Sequence, residues 1–244
     1  MIQEAEANLR RPPLTPPEAG ALSLQERADM LSAGSEIREC LRVLEKAELN
    51  VVGEILRGQG EFLELEHYPH DDVRDDQTHS QYYYHAHREN GDEHGHFHTF
   101  IRTGELDQPP PLAGQPRADW PQDTDAIAHL VGISMDDWGY PSGLFATNRW
   151  VTGETWYSAD YIIDLLSRFE IDHAYPSWPA NRWIGAMLRL FQAHIVALLR
   201  HRDATIAVWQ RAHPDQDVLE ERRLEITGYL PISVDAWIRQ LENA

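Results

Sequence analysis

Hydrophobic positions change their spacing twice along the chain. Ile37, Leu41, Leu44, Val51, Val52 and Ile55 recur at mostly helical steps after Ser35, which predicts one face of an amphipathic helix. Ser23 and Glu26 have capping-box spacing and predict a short helix before it, and Gly58 and Gly60 predict its stop. Beyond Gly60 the pattern shortens. EFLELEHY reads as a strand, and HDDVRDDQTHS, from His70 to Ser80, as a polar loop. Two apolar runs, AIAHLVGISM and GLFATNRWV, flank the turn-rich DDWGYPS and predict a hairpin.

The helical period then returns. Ser158 can cap a helix carrying Ile162, Leu165 and Leu166, and Pro179 can open a longer one carrying Trp183, Met187, Phe191, Ile195 and Leu198. LEITGYL reads as a short helix or strand, and a final helix starts at Ser233. The expectation is an α+β fold: an antiparallel β-sheet with two hairpins, one face covered by N- and C-terminal helices. Residues 1–22, with RPPLTPPEAG, read as a disordered or extended arm, and residues 23–244 as a single α+β metal-binding domain.

The first hairpin carries the chemistry. In YYYHAHRENGDEHGHFHTF, Asn90 and Gly91 both accept the positive φ of a type I′ turn. Counting outward from them pairs His87 with His94, His85 with His96, and Tyr83 with His98. Because strand side chains alternate faces, His85, His87, His94, His96 and His98 all fall on one side. Tyr82, Tyr84, Ala86, Phe97 and Ile101 fall on the other.

Opposed residues on paired strands have Cβ atoms about 4.5–5.5 Å apart, so two imidazoles can share one ion. His85, His87 and His96 form the most compact predicted set, with His94 and His98 as further ligands or acid/base groups. His79, Tyr83 and Glu93 are candidates for catalytic or supporting roles beside them. The H-x-H arrangement resembles that of carbonic anhydrases and cupins. The cupin pattern goes no further, because Glu89 comes too early, Glu93 too late, and GYPSGLFATN offers no histidine.

Elsewhere, Arg149 and Glu154 in NRWVTGETW form a candidate substrate-binding pair, since a guanidinium fork matches an anionic group. His129, His173 and His194 read as structural, and His67 and His70 as solvated loop residues.

Composition narrows the class. A formal charge of −19 disfavours nucleic acid and anionic membranes as partners. The single cysteine, Cys40, excludes an intrachain disulfide and a cysteine-based zinc site. No signal-peptide pattern and no apolar run of about 18 residues is evident, so a cytoplasmic location is expected. Imidazole ligands suit iron or zinc best, with copper or nickel also compatible, and exclude an oxygen cage for calcium or magnesium.

The leading expectation is therefore a metal-dependent enzyme acting on a small, anionic or neutral molecule. The alternatives are a non-catalytic metal-binding or metal-sensing protein and a pH-responsive histidine patch. From VVGEILRGQGEF through HSQYYYHAH and EHGHFHTF to NRWVTGETW, about two-thirds of the chain, the sequence resembles an uncharacterised bacterial family of unknown function. That resemblance implies no activity.

Overall fold

The computed structural model describes residues 13–86, 93–106 and 120–244. The Asn90–Gly91 turn, His87 and residues 107–119 lie outside the described residues.

Helix α1 runs over Leu24–Glu45, and the Ser23–Glu26 capping box forms in both directions. The Ser23 hydroxyl accepts the Glu26 N–H, and the Glu26 carboxylate accepts the Ser23 N–H at 2.8 Å. The break expected at Ser35 does not occur. Its hydroxyl instead donates back to the Leu31 carbonyl at 3.0 Å, which places the serine inside a helix. Met30, Ala33, Ile37, Cys40 and Leu44 form the buried stripe of this single long helix. The chain then breaks near Glu48 (φ 57°), and Asn50 caps the separate helix α2, Val51–Leu56. The expected helix is thus two helices, because a left-handed residue cannot continue the first.

Six strands follow one another as an antiparallel meander in the order β1 to β6. They are Tyr68–Arg74, Ser80–His85, Gly95–Ile101, Ala128–Met135, Pro141–Thr147 and Ile226–Pro231. The fold is α+β, as expected, and both predicted hairpin pairings are present: β2 with β3, and β4 with β5. β1 is displaced from its expected place. Most of it lies in the segment assigned to a polar loop, while residues 61–66 are irregular. A bulge between Tyr68 and Val73 scrambles its alternation, so periodicity could not reveal it. LEITGYL supplies β6, on the edge of the sheet.

After β5 the chain turns into α3 (Arg149–Thr152), capped by the Asn148 side chain and ended by left-handed Gly153. There it departs from the strand expected through Val151. The remaining helices are α4 (Ala159–Leu165), α5 (Trp178–Leu190), α6 (Gln192–Ala212) and α7 (Val234–Glu242).

One large cluster of buried residues joins α1, α2, α4, α5, α6 and α7 to one face of the sheet. Tyr82, Tyr84, Phe97, Val131, Ile133 and Leu144 are part of its sheet contribution. Trp183 of α5 meets Phe97 at a ring separation of 5.9 Å, and the Tyr82 hydroxyl donates to Asn181 Oδ1 at 2.6 Å. Of the segment read as an arm, residues 1–12 lie outside the described residues, while Leu14 and Leu22 pack on this cluster and Ala19 is buried within it. No helix among the described residues is long and apolar enough to cross a membrane.

Candidate metal centre

The hairpin register is visible within the described residues: Tyr83 is paired with His98, and His85 with His96. Those four side chains therefore stand on the face turned away from the helices. His85, His96 and His98 each bring one nitrogen within 4.8 Å of the others, close enough for all three to hold one metal ion. His96 and His98 are fully buried and His85 is half-buried. Their rings meet edge to face, with centroids 4.6, 4.9 and 5.2 Å apart.

Hydrogen bonds fix which nitrogens face inward. His96 Nδ1–H donates to the Glu93 carboxylate at 2.5 Å, while its Nε2 lies 2.8 Å from His85 Nε2. His98 Nδ1 lies 2.9 Å from His129 Nε2, and His129 Nδ1 lies 3.5 Å from the Thr147 hydroxyl. Burial, reinforced by the Arg202 charge, pushes His129 down to about 3, so this imidazole is neutral. Two sets of tautomers satisfy these contacts, and one of them suits a metal ligand. In that set His129 Nδ1–H donates to Thr147, its Nε2 accepts from His98 Nδ1–H, and His98 Nε2 carries a lone pair. His96 and His98 then both present unprotonated Nε2 atoms, the form a metal ligand requires, with their outer nitrogens held from behind.

Three departures from strict alternation shape this site. β3 begins only at Gly95, so alternation does not govern the residues before it. Glu93 consequently reaches the histidine face, where it orients His96. His94 goes the other way and does not join the cluster: its ring stacks on Phe62 (5.6 Å) and its Nδ1 lies 2.6 Å from the Tyr84 hydroxyl. The third departure is a bulge opposite Thr99 and Phe100 that pairs Phe100 with His129. It brings His129, a buried and hydrogen-bonded histidine that the sequence reads as structural, onto the ligand face.

Phe145 of β5 closes the floor, its ring perpendicular to those of His96 and His98 at 5.1 and 5.5 Å. Gly132, which pairs with both His98 and Phe145, makes room for it: a Cβ there would overlap the Phe145 ring. Tyr83 is buried beside His85 and His98, with ring separations of 5.3 Å to each. Burial raises its phenol above the ordinary tyrosine range.

The other candidates sit apart. His79 occupies a left-handed position (φ 60°) at the far end of β2 and bonds Glu105 at 3.0 Å, so it is not a neighbour of the cluster. Arg149 is buried, and its fork is filled by Glu220 (2.7 Å from Nε) and by the Glu154 carbonyl (3.0 Å). The geometry makes it a brace between α3 and the segment carrying Glu220. Glu154 is also fully buried. Its carboxylate accepts the His129 backbone N–H at 2.7 Å, and burial pushes its carboxyl up to about 7.

Sequence reasoning passed over His67. It lies outside the strands and stays partly exposed, but its ring lies flat on Tyr83 (3.6 Å, 10°) and edge-on to His85 (5.6 Å), and its Nδ1 bonds Asp72 at 3.0 Å. Asp72 comes from the bulged part of β1, and no local spacing signals these neighbours.

No curated protein and no solved structure matches the chain. A family model described as a domain of unknown function matches residues 31–232, well over half of the 244 residues. That span includes every residue of the histidine cluster, and the chain belongs to the DUF6969 family.

Proposed function

We propose that this protein is a metal-dependent enzyme acting on a small molecule, its ion held by His85, His96 and His98. The observation that carries this reading is the convergence of three imidazole nitrogens within 4.8 Å. The outer nitrogens of His96 and His98 are already committed, to Glu93 and His129. Three neutral imidazoles suit zinc or iron and leave further coordination positions open, which is the pattern of a catalytic site. Zinc would supply water activation there, and iron would supply oxygen or redox chemistry.

The chain's own residues do the positioning. Glu93 and His129 hold two ligand rings, Phe145 keeps the floor dry, and half-buried His85 marks the approach from solvent. A buffer using all five hairpin histidines draws no support from His94, which faces the apolar core. An exposed proton-sensing patch is disfavoured by the complete burial of His96 and His98.

Elemental analysis after loading near pH 8 tests the reading. One zinc or iron per chain is expected, and none in the His85→Ala/His96→Ala double variant with its circular dichroism intact. A wild-type protein that retains no stoichiometric transition metal would overturn it.

A further inference from the structure

His67 repeats, just outside the three-histidine cluster, the construction seen at His96. Its Nδ1 is held by a carboxylate, Asp72, and that carboxylate is itself held from the other side by Gln81 Nε2 at 2.8 Å. The ring cannot swing, because it is stacked face to face on Tyr83, which is buried. With Nδ1 occupied and one face covered, the edge bearing Nε2 is what remains for another partner. His67 keeps about 40% of its side chain exposed, so the ring can be reached from solvent beside half-buried His85.

The backbone is bent at some expense to achieve this. Leu65, two residues before His67, has φ 70°, and Asp72, which holds the ring, has φ 54°. A left-handed conformation is unfavourable for a bulky residue such as Leu65, and it persists only where the surroundings impose it. At Leu65 it is imposed by the bond from its N–H to the Ala86 carbonyl at 2.9 Å, directly after His85. Two such residues therefore bracket His67 and fix it against the strand that carries a metal ligand. His67 is not a fourth ligand in this geometry, since the group able to share one ion comprises His85, His96 and His98 alone among the described residues.

We propose that His67, oriented by Asp72, is a ligand-binding residue at the mouth of the metal centre. Its Nε2 accepts a hydrogen bond from an N–H or O–H group of the molecule that coordinates the ion. Substrates of this site would then carry such a donor next to the metal-binding atom, as amides, hydroxamates and alcohols do. This inference rests on the metal reading of the three histidines.

Two probes on cobalt-loaded protein test it at fixed pH, read from the visible spectrum of the ion. Acetohydroxamate carries a donor beside its metal-binding oxygen, whereas azide carries none. His67→Ala should still take up one cobalt per chain, weaken acetohydroxamate by about tenfold, and leave azide within about twofold. Asp72→Asn should weaken acetohydroxamate by a smaller factor, because the ring is retained while its orientation is loosened. Equal effects on the two probes, or none on either, would overturn the inference. So would loss of cobalt from His67→Ala, since His67 would then be a ligand. A wild-type protein that takes up no cobalt would instead overturn the metal reading itself.

Discussion

Glu93 and His129 touch only the outer nitrogens of His96 and His98, yet they determine which nitrogen each ring can offer. Supporting partners of this kind typically change metal affinity by 10–100-fold. Glu93→Gln keeps an acceptor for His96 Nδ1 but removes the negative charge that raises the basicity of the ring. It should weaken zinc by about tenfold in competition with a chelator, with one ion per chain still bound at saturation. An unchanged affinity would show that Glu93 plays no part in holding the ligand ring. At this scale the sequence was informative wherever alternation was enforced by pairing. His85, His96 and His98 follow from counting outward from Asn90 and Gly91. His94 and Glu93 could not be placed that way, because they precede the first paired residue of β3 and exchange faces. His67 lay further out of reach, since the residue that holds its ring, Asp72, is a left-handed aspartate inside a bulged strand.

At the scale of the element, β4 and β5 show why a hairpin with no histidine-rich motif still builds the site. Gly132 faces His98 on one side and Phe145 on the other, and the Phe145 ring occupies the space a side chain at 132 would need. An aromatic ring cannot move aside cheaply in a packed layer, so overpacking there costs about 1–3 kcal/mol. Gly132→Ala should lower the urea midpoint by a corresponding amount and weaken metal binding, because the displaced ring stands against both His96 and His98. Adding Phe145→Ala to Gly132→Ala should recover part of the loss. Simple additivity of the two would show that the ring and the glycine are not coupled. The pairing of β4 with β5 was legible from two apolar runs around a turn, but the bulge that delivers His129 was not, because a bulge follows from cross-strand geometry.

Across the whole molecule, two buried titratable groups far apart in sequence pull stability in opposite directions with pH. His194 is packed against Phe191 and Trp237, and burial pushes it down to about 4. Unfolded histidine takes up its proton near pH 6.5, so between about 6.5 and 4 the unfolded chain binds a proton that the fold refuses. Stability at this site is therefore lost as pH falls through that window, and His129 adds to the loss in the same sense. Glu154 acts in reverse. Its carboxyl, raised to about 7 by burial and drawn back only partly by Arg202, stays protonated in the fold where the unfolded chain has ionised. Stability at this site is lost as pH rises from about 4.5 to 7, by on the order of 3 kcal/mol in all. Glu154→Gln preserves an acceptor for the His129 N–H and removes that term. In metal-free protein it should show a steeper loss of stability toward pH 5 than the wild type, together with a gain at pH 8. His194→Leu should show a shallower acid loss. Urea unfolding at pH 5, 6, 7 and 8 reads both slopes. The general repulsion of a chain carrying −19 charges is common to wild type and variants and nearly cancels in each difference. A Glu154→Gln profile parallel to the wild type would mean that Glu154 is ionised in the fold at neutral pH. The backbone of His129 would then be held by a buried carboxylate, and the base of the candidate metal centre would carry a negative charge.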